Sequence, residues 1–262
     1  MNLDPRIGTD AQSEHIDYLL FDNLLQRDAK LDLAPDLAEK WEMPDPQTYV
    51  FHLRKGVRFS NGQALTSADV KFTYDSIISG AIKTPKRGAY QLVDSIQAPD
   101  AWTVIFHLRE PYASFPLNLI RQAGGVVPQS AGSDFAQNPI GTGPFRFVGL
   151  SSDEDVVVER NPDYFGGSPS LERVRFRIVP DALVRALEMR KGSGDIMMNA
   201  LTPDVDLAMA RDPNIEVTRA PGSSLAYIAF NCQDSILSPR EVRQALAYAT
   251  NREALIQYLQ RG

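Results

Sequence analysis

Between residues 138 and 165 the chain carries two proline-punctuated runs that leave the backbone little freedom. The first is Asn138-Pro139-Ile140-Gly141-Thr142-Gly143-Pro144-Phe145, and the second is Glu159-Arg160-Asn161-Pro162-Asp163-Tyr164-Phe165. Two prolines bracketing Gly-Thr-Gly demand a tight turn. Gly141 or Gly143 is therefore expected at positive φ, where an alanine is strained. Asn-Pro-Asp, shortly after the strand-like Val156-Val157-Val158, stops that strand and opens a second turn. Both runs read as scaffold.

Hydrophobic periodicity fills in the elements around them. Ile16, Leu19, Leu20 and Leu24 have helical spacing within residues 12–27. Tyr49, Phe51 and Leu53 alternate along one strand, and Trp102, Val104, Phe106 and Leu108 along another. Phe-His-Leu-Arg occurs in both, at 51–54 and 106–109, which suggests two similar strands in one sheet. Thr66 suits the cap of a helix burying Val70, Tyr74, Ile77 and Ile78. Residues 84–88 read as a loop, 123–128 as a short buried strand, and 225–231 as strand-like. Asp181 and Gly192 bracket a helix, and Thr202-Pro203 opens another. Ser238-Pro239-Arg240-Glu241 reads as a capping box, and Thr250 with Glu253 repeats the signal.

Composition excludes more than it assigns. A formal charge of −6 and the lack of a basic stripe argue against nucleic acid. No apolar run is long enough to span a membrane. The single Cys232 forbids an internal disulfide. His52 and His107 sit between apolar neighbours in strands and read as sheet-face residues, and His15 as a solvated helix residue. No Cys/His cluster has zinc spacing, so no metal is expected. No Gly-x-Ser-x-Gly elbow offers a nucleophile, and neither Gly124-Gly125 nor Gly141-x-Gly143 is a dinucleotide fingerprint, so no cofactor is expected. Asp4, Asp10, Asp17 and Asp22 lack calcium-loop spacing and read as caps or solvent-facing acids. Met197-Met198 reads as core filling.

With Leu3-Asp4-Pro5, Phe21-Asp22-Asn23-Leu24-Leu25, Pro35 to Trp41, Tyr49 to Phe59, Asn61-Gly62 through Val70, Val174 to Asp181 and Val242 to Ala249, the two runs form an ordered series. It resembles the peptide/nickel-type solute-binding proteins of extracellular family 5. Departures are mild: Ser67-Ala68-Asp69 stands for Ala-Glu-Asp, and Gly192 to Ile196 for a shorter turn. The resemblance implies an α/β clamshell of the periplasmic-binding-protein type, a mixed-sheet lobe with a smaller α/β lobe inserted. Residues 1–40 and 150–230 would form the first lobe, 41–149 the insertion, and 231–262 the start of a second ligand-binding lobe. Met1 stands almost directly before Leu3, and the family's chains continue past the Ala-Leu-Ala-Tyr-Ala helix. The expectation is thus a piece covering the family's first half, without a signal peptide.

The implied function is solute capture in the periplasm for an ATP-driven importer, with no bond made or broken. Its partners would be a peptide or similar small solute and the membrane permease subunits of the importer. A non-transport scaffold is the alternative, and a hydrolase is disfavoured. The family's cleft contacts correspond to Gly8, Thr9 and Asp10, whose residue types equally suit a polar loop with a helix cap. Arg121 fits a ligand carboxylate or an ordinary surface arginine, and Tyr90 the cleft rim or the core. With one wall of the cleft encoded, weak solute binding and self-association through the C-terminal helices are expected.

Overall fold

A computed structural model describes residues 1–120, 124–150, 155–198, 201–220 and 227–259. Its elements are α1 (Ala11–Leu20), β1 (Leu25–Arg27), β2 (Leu33–Pro35), β3 (Ala38–Asp45), β4 (Thr48–Leu53), α2 (Ser67–Ile78), β5 (Val93–Asp100), β6 (Thr103–Leu108), β7 (Phe145–Leu150), β8 (Val156–Arg160), β9 (Arg173–Phe176), α3 (Ala182–Lys191), α4 (Pro203–Met209), α5 (Arg240–Ala249) and α6 (Arg252–Leu259). They fall into two units, Met1–Arg177 and Ile178–Gly262.

In the first unit, β3-β4-β6-β5 form an antiparallel sheet. The two Phe-His-Leu-Arg strands, β4 and β6, are direct neighbours in it. Tyr49, Phe51 and Leu53 of β4 and Val104, Phe106 and Leu108 of β6 all point to the buried face, as period-2 alternation requires. Helix α2 covers that face with Val70, Tyr74 and Ile77. Its start is fixed by the Asp69 carboxylate, which accepts hydrogen bonds from the Thr66 backbone N–H and hydroxyl, both at 2.9 Å. Phe106 meets Phe51, Tyr74 and Phe115 with tilted or edge-on rings, the geometry that aromatic quadrupoles favour. His52 pairs with Glu42 and His107 with the Thr48 hydroxyl on the solvated face.

Besides the two-stranded β1-β2 sheet, this unit has a three-stranded antiparallel sheet, β7-β8-β9, which packs against α1. Leu3, Ile16, Leu20, Phe21, Val127, Phe135, Phe145, Val156 and Val158 fill the core between them. Helix α1 is shorter than its apolar spacing suggests. It stops at Leu20 because Phe21 turns extended, and Leu24 joins the other core instead.

Several local expectations are corrected. Gly141 and Gly143 do not adopt positive φ. They are glycines because α1 ends against them: a Cβ on Gly141 would overlap the Leu20 carbonyl oxygen, and one on Gly143 would lie 2.5 Å from that of Leu19. The Gly143 N–H donates to Leu20 O at 3.0 Å in the space so gained. Residues 85–90 form a 3-10 helix whose first turn donates Lys86 N–H to the Thr84 hydroxyl. Gly124 to Pro128 is a buried non-strand segment, with Val126 N–H on Asp22 O and Val127 N–H on Thr73 Oγ1; Ala123 lies outside the described residues. Asp4, Asp17 and Asp22 are buried rather than solvent-facing.

The second unit is helical. Asp181 caps α3, accepting from Val184 N–H, and Gly192 ends it at φ 78°. Pro203 opens α4. Helix α5 starts at Arg240 with Pro239 as its cap residue, so the Ser238–Glu241 box is not formed; Ser238 Oγ donates to Ser235 O instead. Asn251, not Thr250, caps α6 through Ala254 N–H. Residues 227–231 are not a strand, and 225–226 lie outside the described residues. Met198 is exposed and Met197 half-buried. Among the described residues of this unit only Ala186 and Met209 are buried.

Candidate functional site

Helix α1 and the loop before it carry the expected ligand-facing segment. Ile7 and Gly8 N–H groups both donate to Asp4 O at 2.9 Å, closing a tight turn. Gly8 has no room for a side chain, because a Cβ there would overlap Asn2 O. Asp4 also grips Arg6 through two side-chain bonds of 2.9 and 2.7 Å, and the Arg6 guanidinium lies against Phe72 and Phe135. This buried pair anchors the loop and leaves Thr9 exposed at its tip. Asp10 is the N-cap of α1: its carboxylate accepts from Ser13 N–H at 2.9 Å and Ser13 Oγ at 2.7 Å. Partial burial opposes ionisation of Asp10, but the Ser13 bonds outweigh it and hold the acid below the usual carboxylate range.

The other expected positions fare differently. Tyr90 is 1% exposed, stands edge-on to Tyr74, and donates its hydroxyl to Asn118 O at 3.0 Å. It is a core residue, so this structure does not bring it to the Gly8–Asp10 surface. Arg121 lies outside the described residues.

Two polar arrangements went unread in the sequence. One is a narrow crevice against the C-terminal half of α1, lined by Pro5, Asp17, Tyr18, Phe21, Asn23 and Gly125. Asp17 is 1% exposed, and burial pushes its carboxyl up to about 8, against the pull of the Lys86 charge. Burial in turn depresses Lys86, whose ammonium donates to Pro5 O at 2.5 Å. The available signal was an acid seven residues after Asp10, on the face that also buries Ser13, Ile16 and Leu20.

The other is a joint built around Asp22. Its carboxylate accepts from Thr142 Oγ1 at 2.7 Å and from the Tyr164 hydroxyl at 3.1 Å. Beside it, Asp36 accepts from Asn23 N–H at 2.9 Å. Arg54 donates to Asp36 O at 2.7 Å and lies over the Phe165 ring. Burial raises both carboxyls, and the Asp22 charge raises Asp36 further. The two proline-bracketed runs thus converge on one acid. No group of His, Cys, Asp and Glu able to hold a metal ion occurs among the described residues.

A family model described as bacterial extracellular solute-binding proteins, family 5 Middle, matches residues 32–262. The chain belongs to this family. A di/tripeptide-binding protein 1 of Pseudomonas aeruginosa (strain UCBPP-PA14) is 33% identical over 260 residues, covering 88% of the chain and 48% of that protein. The dipeptide-binding protein of Escherichia coli K12 is 30% identical over 258 residues, with the same coverages. The chain therefore spans about half the length of the curated relatives it matches. Among solved structures, the family 5 fold appears in DppA from Helicobacter pylori in complex with peptide STSA, with a TM-score of 0.90 and 28% identity. That match covers all of this chain and 56% of that one. NikZ from Campylobacter jejuni in complex with Ni(L-His) shares the fold at a TM-score of 0.90 and 24% identity, over 99% of this chain and 53% of that one. Among the described residues no helix is long and apolar enough to cross a membrane.

Proposed function

We propose that this chain is the first half of a substrate-binding component of an ATP-driven importer, which captures peptides or a similar small solute in the periplasm by lobe closure. The observation that carries this reading is the 33% identity to a di/tripeptide-binding protein across 88% of the chain. Residues 1–40 with 150–230, 41–149, and 231–262 are the proposed lobe assignments. The segment Gly8-Thr9-Asp10, with Thr9 exposed at its tip and Gly8 buried, is the proposed wall of the cleft. Its rigid Asp4–Arg6 anchor suits such a wall, because a preorganised loop loses little freedom on binding. Arg121 is the proposed partner of a ligand carboxylate. Tyr90 is left out, being sealed in the core. The role is binding by hinge closure, with the permease subunits as partners and no catalysis.

A thermal-shift screen of di- and tripeptides on the whole protein, followed by calorimetry, tests this. Saturable stabilisation by at least one peptide, weakened by Thr9→Ala or Arg121→Ala, is the expected result. A protein unmoved by every peptide and small solute in the panel would leave the scaffold reading standing. Peptide turnover would point to the hydrolase.

A further inference from the structure

We propose that the crevice beside α1 receives a primary ammonium group of a bound solute, accepted by Asn23 Oδ1 and the Asp17 carboxylate, with Tyr18 as the wall that swings aside. The ligand's identity rests on the capture reading above; the crevice itself does not.

Asn23 is the starting point. It lines the crevice and is 8% exposed, and its buried Oδ1 meets no hydrogen-bond donor among the described residues. A buried acceptor in that state carries its full desolvation cost. The crevice is too narrow in this structure for a water-sized group, so solvent does not relieve the cost. A donor that enters gains what the closed form loses, which is the differential affinity a conformational opening requires. Of the lining side chains, Tyr18 is the one facing solvent, at 55% exposure. Pro5 and Phe21 are packed, with a Cβ on Gly125 meeting both at 3.0–3.1 Å.

Charge selects the donor. Asp17 lines the same crevice, and Asp4, Asp10 and Glu14 all act on it with negative charge. From the 3-10 helix opposite, Lys86 supplies the facing positive charge, with its ammonium occupied on Pro5 O. An ammonium is therefore favoured over a neutral amide or a carboxylate. Its three N–H groups match one amide oxygen and one carboxylate. Asp10 and Asp17 are seven residues apart along α1, or about 10 Å at 1.5 Å per residue. That is within reach of a short peptide lying along the helix from the Gly8–Asp10 tip.

The chain is titrated with methylammonium chloride and, separately, with tetramethylammonium chloride at constant ionic strength. The backbone amide signals of residues 17–23 and the Asn23 side-chain amide are followed by NMR. Saturable shifts with methylammonium alone are expected, weakened at least tenfold by Asp17→Asn and by Asn23→Ala and retained in Tyr18→Ala. Affinity should strengthen between pH 6 and 8.5, as Asp17 ionises. Equal responses to the two cations, or a response unchanged in both variants, overturns the proposal; the comparison of cations needs no variant to fold. A second series uses Ala-Ala, N-acetyl-Ala-Ala and N-acetyl-Ala-Lys. It tells a peptide amino terminus from a lysine side chain as the source of the ammonium. Peptide binding elsewhere with these signals silent sinks the crevice but spares the capture reading. Methylammonium binding with all three peptides inert does the reverse.

Discussion

Replacing Thr142 by valine tests whether the Asp22 joint works as described. The substitution keeps the side chain's shape and removes the 2.7 Å bond to a carboxylate that is almost wholly buried. Among the described residues the longer Tyr164 bond then remains on the Asp22 carboxylate. Leaving a buried charged acceptor short of a donor costs about 1–3 kcal/mol. The cost should depend on pH. Asp22 is raised from 3.8 to about 6 by burial, with the Thr142 and Tyr164 bonds holding it down. A carboxyl raised on folding favours the folded state fully below pH 3.8, and that contribution is lost as pH rises through about 6. Losing Thr142 raises the carboxyl further, by about 1.4 kcal/mol for each additional unit, and this is felt only where the wild-type acid is ionised. Urea unfolding followed by fluorescence of Trp41 and Trp102, both in the first unit, should therefore show a larger loss at pH 7.5 than at pH 4.5. Equal losses at the two pH values, or none at 7.5, would refute the argument.

Four further outcomes are expected. Asp36→Asn should stabilise the first unit at pH 7.5 and do little at pH 4.5, because Asp36 is raised to about 7 by burial and by the Asp22 charge, and an asparagine oxygen can still accept from Asn23 N–H; urea curves at both pH values check this. Gly141→Ala should cost about 1–3 kcal/mol by forcing the Leu20 carbonyl and the Phe21 ring (2.7 Å from the added Cβ) to move, read as a lower melting temperature. Ser238→Ala should stay within about 0.5 kcal/mol by urea unfolding, because its hydroxyl caps no helix N–H. The chain should self-associate through α5 and α6, where Leu246, Tyr248, Ile256, Tyr258 and Leu259 are exposed; light scattering should give a mass that rises with concentration and falls back in Ile256→Lys.

The sheet around β4 and β6 was legible because alternation is a local signal. Each residue's face follows from its parity, and Phe51 and Phe106 could be placed without knowing their partners. Helix ends were less so. Thr66 and Asp181 stand at the caps where the sequence puts them, whereas Ser238 does not, because one residue's shift of the first turn carries its hydroxyl away from the helix N–H groups. Gly141 was recognised as structural for the wrong reason. A turn's φ can be guessed from neighbours in sequence, but the carbonyl that forbids its Cβ belongs to Leu20, far earlier in the chain. The same limit hid Asp17, Asn23 and Asp22 as buried polar groups. Their burial comes from Pro5, Gly125, Thr142 and Tyr164, which no local period links to them. Thr9 and Asp10 were named through family likeness, and the helix cap at Asp10 was the plainer reading of the same residues.

The order of strands also has a kinetic consequence. All four strands of the larger sheet, with α2, come from residues 38–108; its outer pairs, β3–β4 and β5–β6, are hairpins of sequence neighbours, and the central β4–β6 pair joins the two across α2. Such local pairings close early because little chain entropy is spent in bringing them together. The Asp22 joint cannot close so soon: its donors stand 120 and 142 residues further along. In a chain delivered N-terminus first, by a ribosome or through a membrane pore, the sheet can be complete while Asp22 is still hydrated and ionised. A late step of assembly for this unit is then the dehydration of one carboxyl by two hydroxyls. Folding should accordingly quicken as pH falls toward 3.8, where the still hydrated carboxyl takes up its proton before it is buried.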